Sequence, residues 1–127
     1  ESDFVSMHTN LDDTSRHIIG ERELAHMKPT AYLINTARGP LVDQPALVQA
    51  LQAGTIAGAA LDVLESEPPN EDDPVFTLPN VICLPHVGTA TEETRRLMRE
   101  HAIKNLLAVL AGNDPLTPVN PEALQNT

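Results

Sequence analysis

The 127-residue chain holds a single cysteine, Cys83, so no intrachain disulfide is open to it. That fits a reducing compartment, and a cytoplasmic location is the expectation. Basic residues are scarce: eight Lys and Arg stand against eighteen Asp and Glu, a net charge of −10. So acidic a chain repels phosphate backbones, which argues against nucleic acid as a partner. No apolar run is long enough to span a bilayer, and none of the opening residues reads as a signal peptide, so no membrane partner is expected. His and Cys at close metal-ligand spacing are missing as well, and no metal site is expected. The six glycines nowhere form Gly-x-Gly-x-x-Gly, the turn that cradles a pyrophosphate at a helix N-terminus.

What is present is a pattern of short apolar runs separated by helical stretches. Residues 4–7, 31–35, 56–63 and 81–84 read as strands. Residues 21–27 read as a short helix stopped by Pro29. Residues 46–53 follow Asp43 as N-cap and Pro45 in the first turn. A long helix is expected over 91–111, with Thr89 and Glu92 resembling a capping box. Residues 65–80 form a long loop rich in acids and prolines, of a length that is usually functional or mobile. Strands alternating with helices predict an α/β fold with a parallel sheet and helical crossovers.

Three ionisable residues then fall just past three successive strands. Arg38 follows the second strand, Glu67 the third and His86 the fourth. Parallel topology puts these loops on one sheet edge, where α/β proteins bind ligands. A histidine can exchange a proton with a hydroxyl or carbonyl oxygen near neutral pH. A carboxylate beside it orients the ring. The planar guanidinium of Arg38 suits a substrate carboxylate. Such a trio suits interconversion of a 2-hydroxy acid and a 2-keto acid, with the hydride supplied by a cofactor. On residues alone, Glu65 and Glu67 are equal candidates to partner His86.

Three segments carry a family likeness: Ile34-Asn-Thr-Ala-Arg38-Gly39, Gly58-Ala-Ala-Leu-Asp62-Val-Leu-Glu-Ser-Glu67-Pro68 and Leu84-Pro-His86-Val-Gly88. Together they resemble the signatures of the D-isomer-specific 2-hydroxyacid dehydrogenases. The resemblance implies the second half of a Rossmann-type dinucleotide-binding domain over 1–90. Over 91–127 it implies a return helix and tail toward a substrate domain. It also implies NAD or NADP as cofactor, a small-molecule 2-hydroxy or 2-keto acid as substrate, and a homodimeric parent enzyme. His86 would be the acid/base, Glu67 its partner and Arg38 the carboxylate anchor. Cofactor contacts would fall on Thr9, Thr36, Ala37, Arg38, Asp62, His86, Gly88 and Thr89. Asn10 departs from the family, where many members have proline. The glycine-rich turn and the residue that selects NAD from NADP precede these segments in the family. The expectation is therefore that an N-terminal part of the protein is missing, that the chain alone is inactive, and that its first strand exposes an unpaired edge. Some proteins keep this fold as non-catalytic, NAD-binding corepressors; the retained Arg38, Glu67 and His86 favour the enzyme.

The other candidates have plainer readings. His8 reads as a structural histidine, and His17, His26 and His101 as surface residues. Cys83 lies within a strand and reads as buried and inert.

Overall fold

The computed structural model describes residues 1–126 and divides into two compact units, Glu1–Gly88 and the remainder from Thr89. The first unit contains four strands: β1 (Phe4–Met7), β2 (Tyr32–Asn35), β3 (Gly58–Leu61) and β4 (Val81–Cys83). They form one sheet in chain order, every neighbouring pair parallel. Parallel neighbours need crossovers. The first two crossovers contain α1 (Glu21–His26) and α2 (Gln44–Gln52), and the third is the acidic loop with a 3-10 turn at Pro74–Thr77.

Strand order follows chain order and parallel crossovers are right-handed, so the connections pack on one face of the sheet. Alternation along the strands gives that face Met7, Leu33, Asn35, Ala59 and Leu61. These pack with Leu24 of α1, Leu47 and Leu51 of α2, and the loop residues Leu41, Ile56 and Val75. Burial of each large apolar side chain there contributes about 1.5–3 kcal/mol, so this face holds the unit together. The opposite face is open by comparison: Phe4 and Ile82 are each 65% exposed. Phe4 and Tyr32 stack there with ring centroids 5.7 Å apart. β1 pairs with β2 on one side and has no strand partner on the other among the described residues.

Several boundaries differ from the sequence reading. β3 covers four residues where 56–63 was expected, because its partner β2 offers only Tyr32–Asn35 for pairing. Ile56 and Val63 are buried as loop residues instead. α2 starts at Gln44, two residues early, because Asp43 caps it directly by accepting from the Ala46 amide at 3.0 Å. The long loop is not uniformly loose: Asp73 accepts from the Val75 amide at 3.0 Å and Val75 is buried.

In the second unit, α3 (Glu92–Leu110) is capped by Thr91, not by Thr89 with Glu92. Thr91 has extended backbone and its hydroxyl accepts from the Thr94 amide at 3.1 Å, one helical turn in. None of the α3 residues is buried.

Candidate active site

The four parallel strands deliver their following loops to one edge of the sheet. Arg38 comes after β2, Glu67 after β3 and His86 after β4. Glu67 and His86 meet without any loop adjustment: His86 Nδ1 donates to Glu67 Oε2 at 2.9 Å. A carboxylate only accepts, so Nδ1 carries the proton of this bond and Nε2 is left as the nitrogen for exchange. Glu67 Oε1 accepts from the Leu64 amide at 3.3 Å, which closes the turn over residues 64–67. Glu65, the equal candidate on residues alone, faces elsewhere. Its Oε1 accepts from His17 Nε2 at 2.7 Å and its Oε2 from the Gln44 amide at 3.3 Å.

His86 is held in an unusual backbone state. Its φ is +53°, the left-handed region that side-chain-bearing residues rarely enter. Asp62 supplies the restraint. Its carbonyl accepts from the His86 amide at 2.9 Å, and its carboxylate oxygens accept from the Val87 and Gly88 amides, both at 2.7 Å. Asp62 is only 4% exposed, so these bonds are shielded from water. A Cβ at Gly88 would lie 2.8 Å from Asp62 Oδ2, so a side chain there would push the clamp open.

Arg38 shares the edge but not the cavity. Glu67 and His86 line a cavity of about 340 Å³ with Leu64, Pro69, Phe76, Cys83, Leu84 and Pro85. Arg38 lines a separate one of about 550 Å³ beyond β1 and β2, with His8, Thr9, Asn10, Leu11, Thr36 and Ala37. Its exposed guanidinium donates to the Ala37 carbonyl at 2.7 Å. The expected cofactor residues Thr9, Thr36 and Ala37 therefore gather around Arg38, whereas Asp62 and Gly88 belong to the His86 loop. Thr89 falls in the second unit.

Two residues escaped the sequence reading. Asn35 is buried at the end of β2, where its amide nitrogen donates to the Arg38 carbonyl at 2.9 Å and its oxygen accepts from the Ala37 amide at 3.1 Å. It fixes the turn that presents Arg38. A polar residue closing the run Tyr32-Leu33-Ile34 was the available signal. His17, expected on the surface, is instead part of the Glu65 network and has φ of +52°. His8 pairs locally, its Nε2 2.9 Å from Ser6 Oγ.

Cys83 is partly buried, not fully so as the sequence suggested. Burial, and then the Asp73 carboxylate, push its thiol above the ordinary value. Less thiolate is present at any pH below that value, and thiolate is the reactive form. Cys83 should thus react with a maleimide more slowly than a free cysteine at mildly alkaline pH, and urea should abolish the difference. Equal rates in native buffer would contradict this.

Comparisons with known proteins bear on this geometry. The family model for the D-isomer specific 2-hydroxyacid dehydrogenase, NAD binding domain, matches residues 1–88. A glyoxylate/hydroxypyruvate reductase B of Enterobacter agglomerans is 50% identical over 125 residues, covering 98% of this chain and 39% of that protein. A glyoxylate reductase of Thermofilum pendens is 52% identical over 125 residues, covering 98% and 37%. Among solved structures, an NADPH-dependent glyoxylate/hydroxypyruvate reductase from Sinorhizobium meliloti, in complex with NADP and malonate, superposes with a TM-score of 0.86. It is 40% identical, over 92% of this chain and 36% of that one. The chain thus spans under two fifths of the length of these relatives.

Proposed function

The chain belongs to the D-isomer specific 2-hydroxyacid dehydrogenases, matching their NAD binding domain, and from that membership we propose that it is part of an enzyme interconverting a D-2-hydroxy acid and its 2-keto acid. The relatives' names favour a small 2-keto acid such as glyoxylate or hydroxypyruvate. The observation that carries the reading is the Glu67–His86 pair at 2.9 Å, with the His86 ring oriented and Nε2 uncommitted among the described residues.

NAD(H) or NADP(H), when bound, supplies or accepts the hydride. The residues present fit the end of such a molecule that carries no phosphate. Thr9, Asn10 and Thr36 line the Arg38 cavity with hydroxyl and amide groups, and the sequence has no glycine-rich turn for the pyrophosphate. His86 gives the proton from Nε2 to the carbonyl oxygen in the reductive direction and takes it back in the oxidative one. Glu67 holds the ring through Nδ1 and so keeps Nε2 free for the substrate oxygen. Arg38 binds the substrate carboxylate through its fork of N–H donors and polarises the neighbouring carbonyl.

Oxidation of NADH or NADPH by the full-length protein in the presence of glyoxylate or hydroxypyruvate tests this directly. Cofactor binding without turnover would instead favour a regulator of the same fold. Within that assay, Arg38→Lys keeps the charge and loses the planar fork. Charge-assisted hydrogen bonds are worth about 1.5–3 kcal/mol each, so kcat/KM should fall by about a hundredfold, with KM for the keto acid raised. An unchanged kcat/KM would remove Arg38 from the site.

A further inference from the structure

We propose that Glu65 is a positioning residue for the Glu67–His86 pair, acting through the turn of residues 64–67 that it anchors; the inference rests on the acid/base reading above. The pair itself is poorly protected. Its side chains are 49% and 40% exposed, and an exposed ion pair gains little over the entropy of holding two side chains together. Something else must hold Glu67 where His86 can use it.

Glu65 is built into such a frame. Its side chain is 24% exposed and accepts from His17 Nε2 at 2.7 Å, from Arg16 at 3.4 Å and from the Gln44 amide at 3.3 Å. Its own amide donates to Gln44 Oε1 at 2.9 Å, so Glu65 and Gln44 bind each other reciprocally. The Gln44 side-chain nitrogen then donates to Asp73 Oδ2 at 2.7 Å. One glutamine therefore ties the acidic loop on both sides of Glu67. The backbone that carries His17 is itself held: the His17 amide donates to the Pro40 carbonyl at 2.8 Å and the Ile19 amide to the Leu41 carbonyl at 3.1 Å. Those acceptors directly follow Gly39, whose backbone packs on the Leu64–Glu65 peptide. The frame thus joins the segment after Arg38 to the turn that presents Glu67. A carboxylate suits the central position because it accepts only and must satisfy three donors at once.

The test is a double-mutant cycle in the full-length protein. Glu65→Ala should lower kcat by about ten- to a hundredfold, the usual cost of removing a group that orients a reactive ligand. KM for the keto acid and the dissociation constant of NAD(P)H should stay unchanged. In a Glu67→Gln background the same substitution should cause no further loss, because the group it positions is gone. Gln44→Ala removes one anchor with no change of charge, should show the same pattern more weakly, and keeps the test open if Glu65→Ala does not fold. Unchanged kcat in Glu65→Ala and Gln44→Ala beside an impaired Glu67→Gln overturns the positioning role alone. An equal loss with and without the Glu67 carboxylate overturns it too, since that is the mark of a purely structural residue. Unchanged kcat in Glu67→Gln would sink the acid/base reading and this proposal with it.

Discussion

Replacing His86 by asparagine should lower kcat for keto-acid reduction by about 10²–10⁴-fold, the range general acid/base groups supply. Asparagine is the informative substitution because of the backbone. His86 sits at φ +53°, a region that asparagine enters far more readily than alanine. Its side-chain amide can still donate toward Glu67, so the Asp62-bound loop should keep its shape. What is lost is the titratable nitrogen. Binding of NAD(P)H and thermal unfolding should therefore stay as in the unmodified protein while turnover collapses. Measuring all three separates a chemical loss from a structural one; turnover within a few-fold of the original would mean the proton goes elsewhere.

Gly39→Ala should be the most damaging single methyl group in the first unit. A Cβ at residue 39 would lie 1.8 Å from the Leu64 carbonyl oxygen, 2.1 Å from its carbon and 2.6 Å from the Glu65 nitrogen. All three are backbone atoms, so no rotamer change relieves the clash. Ordinary overpacking costs 1–3 kcal/mol where side chains can shift; here about 3 kcal/mol or more is expected. For a unit of this size that lowers the unfolding midpoint by roughly 12 °C or more. Thermal or urea unfolding of the 127-residue chain reads it. A loss below about 1 kcal/mol would mean that the Leu64–Glu65 peptide can retreat at little cost, and the close packing between the Arg38 and Glu67 segments would lose its significance.

Gly39 also shows what a sequence can and cannot disclose. A glycine closing the segment after an apolar run marks a turn, and a left-handed backbone is the local reason for such a residue. Yet its φ is not among the positive ones, and the demand comes from a peptide twenty-five residues later, which no local pattern encodes. The same holds for Glu65 and Glu67. Both are carboxylates in one turn, and only the tertiary frame separates the one facing His86 from the one facing His17 and Gln44. The strands were legible because β2 and β4 are short apolar runs bounded by turn residues, and the parallel order followed from the helices between them. Asp43 as a cap was legible for a local reason too, since its acceptor reaches only to Ala46. Thr91 was missed in favour of Thr89 because both stand before the same acidic first turn, and only the Thr94 contact distinguishes them. Asp62 was placed by family likeness as a cofactor contact. Its hold on the backbone of residues 86–88 spans about twenty-five residues, beyond the reach of any local pattern.

On the proposed function Arg38, Glu67 and His86 serve one substrate from one sheet edge, although Arg38 lines a different cavity in this structure. The most direct measurement is a structure of the full-length protein with NAD(P)H and a non-reacting carboxylate such as malonate. One carboxylate of the ligand should sit on the Arg38 guanidinium, released from the Ala37 carbonyl, with His86 Nδ1 still on Glu67 and Nε2 within hydrogen-bond distance of a ligand oxygen. A ligand held away from Arg38, with Nε2 of His86 facing only solvent, would contradict it.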